Sequence, residues 1–329
     1  MSAATQNATQ NTIIETIAAD MDAVNTVIRQ RLHSEVSLVN QIAEYIISAG
    51  GKRIRPVLVL LVANAYSYKG TAHHELAAVV EFIHTATLLH DDVVDMSGMR
   101  RGRSTANAMW GNAPSVLVGD FLYSRSFEMM VELGSMPVMQ ILSKATRVIA
   151  EGEVLQLSKI RDASTTEETY MEVIRGKTAM LFEASTHSAA ALAKASPEQS
   201  EALRTFGDHL GIAFQLVDDL LDYRGDAETM GKNIGDDLAE GKPTLPLIYT
   251  MREGTPEQAA LVRQAIQKGG LEDLESIREA VEKSGSLDYT AQLARDYVAR
   301  AIACLDALPA SEYRDALIEL SEFAVARTH

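Results

Sequence analysis

Apolar residues recur at steps of three and four along most of this chain, the spacing that lines one face of an α-helix. Between Glu201 and Leu221 the stripe runs Leu203, Phe206, Leu210, Ala213, Leu216, Val217 and Leu220, in a segment whose main helix formers are Ala and Leu. Strict alternation bounded by hairpin turns is scarce. The pattern predicts helices over about residues 12–32, 35–49, 55–67, 73–97, 114–134, 137–161, 166–194, 198–224 and 242–252, then short helices to the end. Gly50-Gly51 reads as a helix stop, while Asn112 to Ser115, with Pro114 in the first turn, and Ser196-Pro197 read as starts. The predicted fold class is all-α. No Pro/Gly/Ser-rich linker divides the chain, so one domain over residues 1–329 is expected, with the polar stretch 1–11 flexible.

Two acidic segments stand out against this apolar background. Asp91-Asp92-Val93-Val94-Asp95 and Asp218-Asp219-Leu220-Leu221-Asp222 share one signature. On a helix, Asp91 pairs with Asp95 and Asp218 with Asp222 on one face, and like charges at that spacing repel. A solvated acidic face is the plain alternative, but Leu88-Leu89 and Leu216-Val217 show that both helices bury most of their circumference. Carboxylates in such surroundings need a partner or a metal. Grouped carboxylates suit Mg²⁺, which keeps waters and is completed by substrate phosphates. The doubled signature therefore predicts a phosphate-bearing ligand held through a hard cation.

Composition narrows the function. A net charge of −15 argues against nucleic acid, whose binding rests on excess Lys and Arg. Cys304 is the one cysteine, which excludes an internal disulfide and suits a reducing cytosol. The N-terminus lacks the basic and apolar regions of a signal peptide, and no apolar run approaches a membrane span, so a cytoplasmic location is expected.

Basic residues flank the acidic signatures. Gly50-Gly51-Lys52-Arg53-Ile54-Arg55-Pro56 puts three cations in four residues after a glycine turn, able to grip a diphosphate or simply to complement a helix dipole. Arg100-Arg101-Gly102-Arg103 follows the first aspartates, and Lys177-Thr178, Gln215, Lys232 and Lys242 add donors. His84 lies two turns before Asp91 on the same helix face, where a lone histidine is commonly a satisfied core residue. Glu81-Phe82-Ile83-His84 is also half of a di-iron motif, but no second copy exists.

Together, Gly51-Lys52-Arg53-Ile54-Arg55-Pro56, His84, the first aspartate motif with Arg100-Arg101, Gly176-Lys177-Thr178 and Gln215 to Asp222 closely resemble the trans-isoprenyl diphosphate synthases. The stretches Glu81 to Asn107 and Ala150 to Leu157 look most like the octaprenyl and related long-chain members that supply quinone side chains. The resemblance implies a homodimer of helical bundles, each with a central cavity. It implies Asp91, Asp95 and Asp218 as principal Mg²⁺ ligands, about three ions binding with substrate, and Asp92, Asp219 and Asp222 in support. Arg100, Lys177, Thr178, Gln215, Lys232 and Lys242 would meet the allylic diphosphate, with farnesyl diphosphate as the expected primer, and Lys52, Arg55, His84 and Arg101 would hold isopentenyl diphosphate. No protein base for the final proton is evident, and in this family the departed diphosphate takes that part.

Product length in such enzymes depends on what the growing tail meets beneath the first aspartate motif. Ile83, Ala86 and Thr87 precede it on one helix side, and none is aromatic, whereas short-chain members often carry an aromatic residue there. Small Ala86 implies a long tunnel and an octaprenyl product, the plain alternative being that it lets two helices approach, with Phe127 and Met130 as candidates for the tunnel floor. A terpene cyclase would have a different second metal motif and an aromatic-lined cavity. A noncatalytic subunit would have lost aspartates or the paired arginines. Transient membrane contact would serve release of a greasy product. The C-terminal stretch Ala324 to His329 lacks the basic pair that ends some members.

Overall fold

The computed structural model describes residue 13, residues 15–224 and residues 235–326. Sixteen helices and one short hairpin account for its regular structure: α1 (Ala18–Arg31), α2 (Ser37–Ser48), α3 (Ile54–Ala65), α4 (Ala72–Val94), β1 (Met99–Arg100), β2 (Arg103–Ser104), α5 (Ala106–Trp110), α6 (Asn112–Glu132), α7 (Met136–Lys159), α8 (Glu167–Ile174), α9 (Met180–Leu192), α10 (Pro197–Arg224), α11 (Asp236–Glu240), α12 (Leu245–Glu253), α13 (Pro256–Lys268), α14 (Leu274–Lys283), α15 (Ser286–Cys304) and α16 (Glu312–Ala326). Lys232 lies outside the described residues, as do the stretch 1–11 and Arg327 to His329.

Burial explains the layout. Every residue of α3 from Pro56 to Ala63 is buried, and a helix apolar on all sides must sit inside others. It lies against α4, α9 and α16, while α10 packs on α9 and α15, and α4 on α6. The stripe read from the sequence is the buried side of α10, with Leu203, Phe206, Leu210, Ala213, Leu216, Val217 and Leu220 all at 1% exposure or less. Small residues set the closest crossings. A Cβ on Gly211 would fall 2.5 Å from Ala179 Cα, so α10 and the start of α9 touch through backbone.

Three features depart from the sequence pattern. The expected helix over 166–194 is interrupted at Arg175–Ala179 by a π turn, which carries Gly176-Lys177-Thr178. Residues 99–104 form a hairpin, pairing Met99 with Ser104 and Arg100 with Arg103. Its turn residues, Arg101 and Gly102, have φ of 53° and 72°, the twin positive values of a type I′ turn. The end of the chain holds longer helices than expected, α15 and α16 having 19 and 15 residues. No described helix is long and apolar enough to cross a membrane.

Candidate active site

Both aspartate signatures occupy the last turns of long helices, α4 and α10. Those turns are the negative ends of the helix dipoles, so acidic groups there are disfavoured twice, by one another and by the backbone. Cations offset the cost. Lys177 Nζ stands 3.9 Å from Asp91 Oδ2, and Lys242 Nζ 3.3 Å from Asp95 Oδ2. Burial works against charge on Lys242, yet Asp237, Asp95 and Glu240 hold its ammonium above the ordinary lysine value. Burial pushes the Asp91 carboxyl up despite Lys177, and Asp95 adds to the rise.

Asp91, Asp95 and Asp218 face one cavity, together with Arg100, Lys177, Thr178, Gln215 and Lys242. Of the companion aspartates, Asp92 and Asp222 lie outside this cavity. Asp92 is fully buried and accepts Arg100 Nε–H at 2.8 Å, which aims that guanidinium. Asp222, also buried, accepts the backbone N–H of Gly235 at 3.2 Å, tying the end of α10 to the start of α11. Asp219 accepts Tyr170 Oη–H at 2.5 Å and Gln215 Nε2–H at 2.7 Å, while Gln215 Oε1 accepts from Thr178 at 2.8 Å. Burial, with Asp237 nearby, pushes the Asp219 carboxyl up to about 8. The i, i+4 geometry thus puts Asp91 and Asp95 in the cavity together, but of the second signature Asp218 and the edge of Asp219 line it and Asp222 does not.

A second cavity adjoins the first through Asp91, Arg100, Lys177, Thr178, Gln215 and Asp218. Lys52, Arg53, Arg55, His84 and Arg101 line its far side. Arg55 lies 4.5 Å over the Phe182 ring and donates to His84 Nε2 at 3.2 Å. Because a guanidinium only donates, His84 carries its hydrogen on Nδ1. Burial, then Arg55, Arg101 and Arg100, keep this imidazole well below its ordinary value, hence neutral. Gly51, at φ 143°, leaves room for Arg101, whose guanidinium would be 2.6 Å from any Cβ there. Lys52 Nζ sits 5.7 Å from the Phe323 ring centroid of α16.

Beneath Asp91 an apolar groove runs between α4, α6 and α7, lined by Ile83, Thr87, Tyr123, Ile149, Val154 and Leu157. Thr87, Asp91 and Glu153 border both this groove and the basic cavity. Ala86, Phe127 and Met130 are not among its lining residues. Ala86 and Met130 are sealed in the core, at 0% and 1% exposure, and Phe127 packs against that core. The helical spacing that put Ala86 on one side of α4 with Ile83 and Thr87 could not say which of two adjacent faces that helix would bury.

Sequence reasoning missed several groups. Glu153 and Gln156, one turn apart on α7, accept Lys177 Nζ–H at 2.7 and 2.8 Å. Burial and Asp91 push the Glu153 carboxyl up to about 7. Asp237 joins the first cavity from α11, and Glu81 faces Arg53 at 3.8 Å. The spacing of Glu153 and Gln156 on a predicted helix was a usable signal, whereas Tyr170 had none.

The donor set fits a hard divalent cation, since Asp91, Asp95 and Asp218 offer only carboxylate oxygens and two lysines already stand where positive charge is required. Carboxylates opposite fixed cations, over an apolar groove in an all-α bundle, are the parts of a transferase of prenyl groups. Residues 36–284 match the Polyprenyl synthetase family model, and the chain belongs to that family. It is 55% identical to octaprenyl diphosphate synthase of Escherichia coli (strain K12) over 316 residues, 96% of this chain and 98% of that one. It is 48% identical to a geranyl-diphosphate-specific all-trans-nonaprenyl-diphosphate synthase of Rhodobacter capsulatus, over 96% and 97% of the two chains. Among solved structures, a polyprenyl synthase of Caulobacter crescentus CB15 complexed with calcium and isoprenyl diphosphate superposes with a TM-score of 0.94, at 47% identity, covering 97% and 98% of the chains. The chain is a prenyltransferase.

Proposed function

We propose that this prenyltransferase condenses isopentenyl diphosphate repeatedly with an allylic diphosphate, farnesyl diphosphate being the primer, to give octaprenyl diphosphate for a quinone side chain. One observation carries the reading: a carboxylate cavity and a cationic cavity share Asp91, Lys177 and Asp218, and an apolar groove leaves from the same aspartate. Asp91, Asp95 and Asp218 hold Mg²⁺, about three ions with substrate bound, and Arg100, Lys177, Thr178, Gln215 and Lys242 hold the allylic diphosphate, with Lys232 assigned there from sequence alone. Lys52, Arg55, Arg101 and the Nδ1–H of His84 hold isopentenyl diphosphate. Asp92, Asp219 and Asp222 position Arg100, Gln215 and the α10–α11 junction.

The chemistry follows from this placement. The allylic C–O bond breaks with both electrons leaving on the diphosphate, whose charge the fixed cations stabilise. Divalent metal, when bound, would add Lewis-acid neutralisation of that leaving group. The alkene of isopentenyl diphosphate attacks the allylic carbon, and the proton then lost passes to the departed diphosphate. Each new chain returns to the allylic side with its tail in the groove between α4 and α7. The relative with calcium and isoprenyl diphosphate supports metal and diphosphate at such a site.

One continuous domain in the cytoplasm, paired as a homodimer, completes the proposal. Exposed Leu117 and Val131 on α6, with Val154 and Leu157 on α7, supply apolar surface for the pairing. Asp91→Ala and Asp218→Ala are expected to abolish transfer while leaving the helical circular dichroism signal intact. Turnover retained by either variant would overturn the metal assignment, and chromatography of products from farnesyl and isopentenyl diphosphates decides the length.

A further inference from the structure

Away from the substrate cavities, one carboxylate and two imidazoles from separate helices converge on one point. Asp20 stands in the first turn of α1, and His73 and His74 in the first turn of α4. The Nε2 atoms of His74 and His73 lie 2.8 and 3.5 Å from the same oxygen, Asp20 Oδ1. One donor atom from each of the three residues falls within 4.8 Å of the others. Asn64 of α3 donates to the second oxygen, Asp20 Oδ2, at 2.7 Å, which fixes the carboxylate's orientation. His73 is only 4% exposed, while Asp20 and His74 keep an edge toward solvent.

We propose that Asp20, His73 and His74 bind a divalent cation of the zinc class, at a site separate from the substrate cavities. Two imidazoles and one carboxylate are a donor set for borderline cations, whereas the all-carboxylate cavity selects hard ones. Bonds of about 2.0 Å in a tetrahedron place ligand atoms roughly 3.3 Å apart, a spacing bracketed by the two distances to Oδ1. Asn64 supplies the outer hydrogen bond that such ligands usually require. Solvent takes the fourth position. The bound cation ties α1 to α4, and through Asn64 to α3. Asn25, on α1, accepts Arg53, which lines the basic cavity, so the tie also steadies that wall.

The alternative is a hydrogen-bonded trio in which both imidazoles carry hydrogen on Nε2. Full-length protein stripped with EDTA and returned to excess Mg²⁺ is titrated with Co²⁺, then with Zn²⁺. Low-coordinate imidazole ligation of Co²⁺ gives intense visible absorption, unlike octahedral carboxylate and water sites. One such equivalent is expected, displaced by Zn²⁺, with Zn²⁺ also raising the thermal midpoint. His74→Ala and His74→Gln should remove the absorption and the thermal rise while retaining Mg²⁺-supported transfer. Asn64→Ala should weaken Zn²⁺ binding by about 10–100-fold, and loss of His74 by more. No intense absorption in the native protein, or the same absorption in either His74 variant, overturns the site.

Discussion

His84 shows how far one residue's chemistry departs from its position in the sequence. Its place two turns before Asp91 was plain, but its neutral state depends on burial and then on three arginines that only the folded chain brings together. A base held below its unfolded value of about 6.5 favours the folded state above that pH, and the advantage is lost as pH falls. The folded imidazole resists protonation while the unfolded one accepts it, a slope of at most about 1.4 kcal/mol per pH unit. Between pH 7.5 and 5.5 native protein should therefore lose more stability than His84→Asn in urea unfolding. Parallel losses would show that His84 titrates normally. The residues most legible in the sequence were those whose neighbours are also helical neighbours, such as Asp91 with Asp95. Tyr170, which depends on the distant Asp219, was not.

At the scale of elements, the π turn at Arg175–Ala179 is the clearest case of function bending a regular structure. One extra residue in the turn projects Lys177 and Thr178 into the cavity, and Gly176 meets Gly152 of α7 where the helices cross. A Cβ on Gly152 would lie 2.6 Å from Lys177 N and 2.7 Å from Gly176 C, backbone atoms that cannot rotate away. Gly152→Ala should cost about 1–3 kcal/mol and raise the Michaelis constant for the allylic substrate, because it displaces Lys177. Gly98→Ala, with nothing within 4 Å, should stay within about 0.5 kcal/mol. Equal melting temperatures for the two variants would argue against the close crossing. The helices themselves were legible because their stripes are long and periodic. The hairpin at Met99–Ser104 was not, since two-residue strands leave no alternation to read and Arg101 occupies a left-handed position usually held by Gly or Asn.

At the scale of the whole molecule, the polar chemistry and the apolar groove meet at the end of α4, where Thr87, Asp91 and Glu153 border both. Ile83 and Thr87 enter the groove from α4, Tyr123 from α6 and Ile149 from α7, whereas Ala86 faces the packed interior. The small residue that suggested a long tunnel is packed inside the protein, and its neighbours Ile83 and Thr87 line the groove instead. Thr87→Phe places an aromatic ring just below Asp91 and should shift the product toward shorter prenyl chains, while Tyr123→Ala should lengthen them. Met130→Ala is the control. It opens a hole in the core, costing about 2–5 kcal/mol, without touching the groove, so its product length should match the native one. Reversed-phase separation of the dephosphorylated alcohols reads all three. An unchanged product from Thr87→Phe, in a variant that melts like the native protein, would mean that the tail takes another path, because an aromatic ring at that junction cannot be bypassed by a chain leaving Asp91 between α4 and α7.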